Sequence, residues 1–129
     1  MQGSDIVITA TNSSSPVIRY EWLESGTHIN AVGSFTPFMR ELDEETVTNS
    51  KLVVDSTEAC LAEAGEIVIP ITQKRIAASH IYAELAELVA GKKVGRSSEH
   101  EVTIFKSVGL AFEDIVTSKN VLDKLERAS

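Results

Sequence analysis

The sequence predicts an α/β fold in which a mostly parallel sheet is flanked by helices, and three observations carry that expectation. Short β-branched runs at 5–10, 27–32, 51–55 and 102–105 have the length and composition of strands. Capped or periodic segments separate most of them, which is the alternation that crossover connections need. The last stretch carries an apolar stripe long enough for a C-terminal helix of about four turns.

The elements follow in order. The run 5–10, Asp-Ile-Val-Ile-Thr-Ala, forms the first strand. The polar run 12–16, Asn-Ser-Ser-Ser-Pro, makes a loop whose side chains satisfy their own backbone, and 19–23 make a helical turn with Trp22 packed under that loop. The strand at 27–32 opens at Gly33 into a Gly/Ser/Thr loop, where open α/β sheets place ligands because the main chain there can come close to a bound molecule. Pro37 has no N–H to give to a ladder, so the sheet is left by that point. Asp43 is the N-cap of a short helix through Thr48, and the acids Glu41, Asp43, Glu44 and Glu45 read as its solvated start rather than as catalytic carboxylates.

Beyond the strand at 51–55, Ser56 caps a helix through Ala64 that Gly65 stops in a left-handed conformation. The segment from Pro70 to Ser79 has no period and reads as a loop. Residues 80–90 set Ile81, Leu85, Leu88 and Val89 on one side of an amphipathic helix closed by Gly91. Lys92, Lys93 and Arg96 make a solvated turn, since a phosphate-binding loop needs Gly followed by Lys and Ser/Thr. After the strand at 102–105, Val108, Phe112, Ile115, Leu122 and Leu125 mark the stripe of the last helix.

Composition narrows the function classes. The chain has 129 residues, 43% of them hydrophobic and 24% charged, which suits one domain over 1–129 with a single core. Its net charge of -7 argues against nucleic acid or an anionic membrane as a partner, because no broad basic surface is available to neutralise phosphates. The single cysteine, Cys60, excludes an internal disulfide and suits a reducing compartment. No secretory leader pattern is present, and apolar runs such as 67–71 are too short to span a bilayer, so the cytoplasm is the expected location. The histidines His28, His80 and His100 have no ligand spacing to one another, to Cys or to a carboxylate, so no metal is expected. No strained serine elbow occurs, Cys60 reads as a buried structural thiol, and no catalytic residue is assigned. A Gly-x-Gly-x-x-Gly turn after a strand is also missing.

Three blocks in sequence order carry a family resemblance. The first joins Asp-Ile-Val-Ile-Thr-Ala-Thr at 5–11 to Asn-Ala-Val-Gly at 30–33 and to the Pro37 and Glu41-Leu42 tail. The second is Ile-Tyr-Ala-Glu-Leu with the later Gly-Lys-Lys, and the third is Thr-Ile-Phe-Lys-Ser-Val-Gly-Leu-Ala-Phe-Glu-Asp at 103–114. Together they resemble the ornithine cyclodeaminase/mu-crystallin family of NAD(P)-binding proteins, and only its later part. The resemblance implies a partial, truncated Rossmann-like half-domain whose strands are the fourth to sixth of the family's sheet. The glycine turn and the substrate domain are not matched.

By that resemblance, Thr9, Ile29, Asn30, Ala31, Val32 and Ser107 face the nicotinamide half of the cofactor, and Phe35 and Val108 border the substrate. Phe35 stands where cyclodeaminases carry a catalytic aspartate, and Met39 replaces a nearby lysine. The chain therefore leans toward the imine reductases and amino-acid dehydrogenases, with NAD or NADP binding weak or absent. In the sheet order 3-2-1-4-5-6, the strand from Asp5 to Ala10 loses its neighbour and becomes an open edge. A homodimer through that edge or through the last helix is expected. Two readings follow: a fragment-like NAD(P)-binding protein inactive alone, or an oligomeric interaction module, including one half of a split enzyme completed by a separate front-half chain.

Overall fold

The structure, a computed structural model, describes residues 3–128. In chain order its strands are β1 (Ile6–Thr9), β2 (His28–Ala31), β3 (Lys51–Val54), β4 (Ile81–Glu84) and β5 (Thr103–Lys106). Its helices are α1 (Glu44–Thr48), α2 (Thr57–Glu63), α3 (Gly65–Thr72), α4 (Leu85–Val89) and α5 (Ala111–Ala128). Short 3-10 turns occupy Tyr20–Trp22 and Ala78–His80.

The strands form one parallel sheet in the order β1-β2-β5-β3-β4. The expected α/β class with a C-terminal helix holds. The strand order does not simply follow the chain inward from the edge, because β5 inserts between β2 and β3. Registry explains the fit: Ile29, Ile104 and Leu52 align across the centre, and all three are at most 1% exposed. They point to the covered face, where Val47 of α1, Cys60 of α2 and Ile67 of α3 complete the core. A strand this apolar belongs in the middle of a parallel sheet.

β1 is the edge. His28 N donates to Asp5 O at 2.8 Å and Val32 N to Thr9 O at 2.9 Å. Bonding residues alternate along a parallel ladder, so the main-chain groups of Ile6 and Ile8 turn away from β2. Their side chains lie on the uncovered face and are 62% and 68% exposed. Among the described residues no strand pairs with that outer side.

Several expectations are corrected. Residues 81–84 are a strand, not the first turn of a helix: Ala83 is buried, the ladder to β3 runs through Ala83 and Glu84, and the ammonium of Lys51 lies over the Tyr82 ring at 4.9 Å. The helical spacing of Ile81 with Leu85 and Leu88 arises because α4 starts immediately after β4. Gly65 does not end a helix; it begins α3, and α2 stops at Ala64 in extended conformation. α3 continues through Pro70 to Thr72, so the loop is shorter than expected. Trp22 is 43% exposed and carries the Arg19 guanidinium over its ring at 5.4 Å; it is not packed under a loop. Val108 precedes α5 rather than lying on it. Arg96 is more than a solvated charge, since it donates to Gly26 O and Glu101 O, each at 2.7 Å.

Asp43 does cap α1 by accepting from Thr46 N at 2.8 Å, and Ser56 caps α2 by accepting from Ala59 N. α5 is exposed along its length: Phe112, Ile115 and Leu122 all face solvent. No helix among the described residues is long and apolar enough to cross a membrane.

Candidate functional site

The carboxyl ends of parallel strands point to one rim of the sheet, and three buried polar groups organise that rim. The first is Glu41, which is fully buried and so not part of a solvated helix start. Its carboxylate accepts from Thr9 Oγ1 at 2.8 Å, Thr11 N at 2.5 Å and Gly33 N at 2.9 Å, tying the exits of β1 and β2 together. Burial alone would raise the Glu41 carboxyl, but these donors outweigh it and hold it below the usual carboxylate range.

The second group is Asp55, at the exit of β3. It accepts from Ser107 Oγ at 2.8 Å, Val108 N at 2.8 Å and Gly109 N at 3.1 Å. Its other oxygen accepts from Ser56 N at 2.7 Å. Burial raises this carboxyl too, yet the donors, led by Ser107, bring it below its ordinary value. Cys60 lies beneath, fully buried, with its Sγ 3.3 Å from the same carboxylate; burial first and the Asp55 charge second push the thiol far up. It is a structural thiol and not a nucleophile.

The third is an ion pair within the core. Lys106, the last residue of β5, is fully buried, and its Nζ lies 3.2 Å from Glu66 Oε1 of α3. The same ammonium donates to Ser34 O at 2.6 Å and Ser34 Oγ at 3.0 Å, and Ser34 Oγ in turn donates to Glu66. The loop after β2 is thereby clamped from below. It is also wedged against α3: a Cβ at Gly65 would come 1.9 Å from Met39 O and 2.9 Å from Pro37 O. Only glycine allows so close an approach.

These latches place the residues singled out from sequence. Val32, Ser107 and Val108 gather at the rim, where β2 and β5 end, whereas Thr9, in register with Ala31, is buried at 5% exposure and commits its hydroxyl to Glu41. Phe35 projects from the clamped loop and is 52% exposed. Asn30 lies on β2 on the uncovered face, half-buried. Ile29 and Ala31 point to the opposite, covered face and are fully buried, so their side chains do not reach the rim. Glu41, Asp55, Glu66 and Lys106 carry most of the local electrostatics and were not singled out as site residues.

The rim's main-chain donors are largely committed. Thr11 N and Gly33 N serve Glu41, and Val108 N and Gly109 N serve Asp55. None of these amides is left to cradle a phosphate. Beside the exposed Thr11 and Asn12 beyond β1, the loop after β2 presents an apolar surface, with Val32, Phe35 and Phe38 all exposed. Such a wall fits a flat, uncharged ring and does not fit a diphosphate. A second groove, lined by Asp5, His28, Lys51, Arg96 and Thr103, opens at the amino ends of the strands. Its polar groups are largely engaged: Lys51 meets Glu101 at 2.9 Å, His28 Nδ1 lies 2.8 Å from Thr103 Oγ1, and Arg96 donates to Thr103 Oγ1 at 3.0 Å.

The model of the ornithine cyclodeaminase/mu-crystallin family matches residues 1–129. The chain belongs to that family. Within it, the chain is 48% identical over 122 residues to a Delta(1)-pyrroline-2-carboxylate reductase of Bacillus cereus, covering 94% of this chain and 37% of that one. Among solved structures, Thermococcus litoralis Delta(1)-pyrroline-2-carboxylate reductase, in complex with NADH and L-proline, superposes with a TM-score of 0.91 at 53% identity, covering 98% of this chain and 39% of that one. An archaeal alanine dehydrogenase dimer with bound NAD gives a TM-score of 0.87 at 40% identity, covering 97% and 39% respectively. The family's fold is thus present over a little more than a third of these relatives' length.

Proposed function

We propose that this chain forms the nicotinamide-facing wall of an NAD(P) site of the imine reductase or amino-acid dehydrogenase kind, and is inactive alone. The observation that carries this reading is the rim itself: an apolar, clamped loop presenting Phe35, with the neighbouring amides already bound to Glu41 and Asp55. When bound, the cofactor would supply or accept hydride. Val32 and Ser107 would line its nicotinamide end, with Asn30 and the buried Thr9, Ile29 and Ala31 supporting the wall from within β1 and β2. Phe35 and Val108 would border the substrate, and with Phe35 in place no side chain there performs cyclodeaminase proton chemistry.

The bound forms of the solved relatives support the cofactor class. Calorimetric titration with NAD and NADP, oxidised and reduced, tests it: weak binding or none is expected, and submicromolar affinity would overturn the half-site argument. Amide shifts with millimolar NADH should concentrate at Val32, Phe35, Ser107 and Val108; shifts confined to other residues would refute the placement of the wall.

The open edge at β1 favours a second reading, an interaction module. In that reading the chain forms a homodimer through β1 or α5, or pairs with a separate front-half chain to restore an enzyme. The dimeric alanine dehydrogenase supports self-association. The buried Cys60 thiol and the acidic composition suit the cytoplasm.

A further inference from the structure

We propose that Lys106, with Glu66 as its counter-ion, is a positioning residue for the substrate border: it fixes the peptide joining Ser34 to Phe35, and with it the direction in which Phe35 leaves the loop. The proposal rests on the nicotinamide-wall reading for its functional meaning, and the contact it assigns is tested separately from that reading.

Distances within the buried cluster carry it. An ammonium has three N–H groups to give, and that of Lys106 faces three oxygens. Two belong to Ser34, its main-chain O at 2.6 Å and its Oγ at 3.0 Å, while the Glu66 carboxylate stands at 3.2 Å. A cation present only to neutralise Glu66 would sit closest to the carboxylate. Here its shortest contact is to a neutral carbonyl of the loop. That carbonyl belongs to the Ser34–Phe35 peptide, whose atoms are held in one plane. Gripping Ser34 O therefore sets the direction of the Phe35 N–H and the place of its Cα.

The rest of the loop is pinned by other means. A Cβ at Gly33 would collide with the Thr11 main chain and the Glu41 carboxylate, and the far end, Pro37 and Met39, abuts Gly65. Between these ends, Ser34 is the one fully buried residue of 33–38, and Lys106 is the side chain that reaches it. On its own strand Lys106 lies opposite Ala31 and directly precedes Ser107 and Val108, both held by Asp55. One cation thus sets Phe35 and Val108, the two residues assigned to the substrate border, relative to each other across β2 and β5.

Stability does not call for this arrangement. Apolar residues of similar volume often replace a buried ion pair at no loss, whereas a hydrogen bond from an ammonium to a carbonyl is aimed and an apolar contact is not.

The test uses the full chain. The double variant Lys106→Met with Glu66→Met strands no charge but leaves Ser34 O without its donor, so it separates holding the fold from holding Phe35. By 15N relaxation, the Phe35 amide of the wild type is expected to have the order parameter of rigid backbone, about 0.85, and that of the double variant to fall below about 0.6, while β2 and β5 stay rigid. Ser34→Ala, a small change that keeps the carbonyl, should leave Phe35 rigid. A mobile Phe35 in the wild type, or a rigid one in the folded double variant, overturns the proposal. So does a Phe35 loosened by Ser34→Ala, which would give the hold to the hydroxyl. Millimolar NADH should shift the Phe35 amide in the wild type and in Ser34→Ala, and not in the double variant. If the order parameters follow expectation and NADH shifts nothing in the wild type, the contact stands and the nicotinamide-wall reading falls.

Discussion

Replacing Lys106 with Met removes the cation from a fully buried pair and leaves Glu66 and Ser34 without their common partner. Breaking a buried ion pair from one side costs about 3–5 kcal/mol, because the remaining charge is stranded away from water. At roughly 0.05–0.15 kcal/mol per residue, a chain of 129 residues has a total stability of about 6–19 kcal/mol, so the loss is a measurable share of the total and brings the variant to the limit of folding only at the low end of that range. In urea unfolding followed by circular dichroism, with an m-value of about 2 kcal/mol per molar, the midpoint should fall by roughly 2 M with little change in slope. The double variant Lys106→Met with Glu66→Gln removes both charges and should recover a large part of the loss. A single-variant loss under about 1 kcal/mol, or a double variant no more stable than the single, would refute the clamp.

Other outcomes follow from the rim. Glu41→Gln should destabilise by about 1.5–3 kcal/mol, the range for a hydrogen bond to a charged group. The folded-state Glu41 carboxyl lies below its ordinary value of 4.5, so its contribution is present above that pH and is lost as pH falls through the folded value. Thermal midpoints measured downward from pH 6 should therefore drop less steeply in Glu41→Gln than in the wild type. Asp55→Asn should speed amide exchange at Val108 and Gly109, whose N–H groups it holds; unchanged protection there would discount the latch. Gly65→Ala forces a Cβ against Met39 O and should cost about 1–3 kcal/mol by overpacking, read in the same urea titration.

The strands with β-branched runs were legible because composition and burial agree in them: Ile29, Val54 and Ile104 are what a buried parallel strand needs. β4 was not, since its four residues share an apolar spacing with the helix that follows directly. α3 was hidden by Gly65 and Pro70, residues that ordinarily bound helices. Here Gly65 is required by the approach of Met39 O, and Pro70 sits inside the helix. At the site, the family blocks located the rim loops but not what holds them. Glu41 stands beside Asp43, Glu44 and Glu45, and nothing local separates a buried acid from capping ones; the donors that distinguish it come from Thr9 of β1 and Thr11 just beyond it, about thirty residues earlier, and from Gly33 at the exit of β2. Lys106 and Glu66 are likewise joined only by the tertiary fold.

The insertion of β5 between β2 and β3 governs how this protein is made. During synthesis, β1 with β2 and β3 with β4 can each pair as soon as they leave the ribosome, but no ladder joins the two pairs until Thr103–Lys106 emerges. Ile104 must then close contacts reaching back to Ile29 and Leu52, and long-range closure of this kind slows folding. Until that moment two apolar half-sheets are exposed side by side, the condition in which nascent chains aggregate or engage chaperones. A product ending shortly before Thr103 would keep both strand pairs and no continuous core.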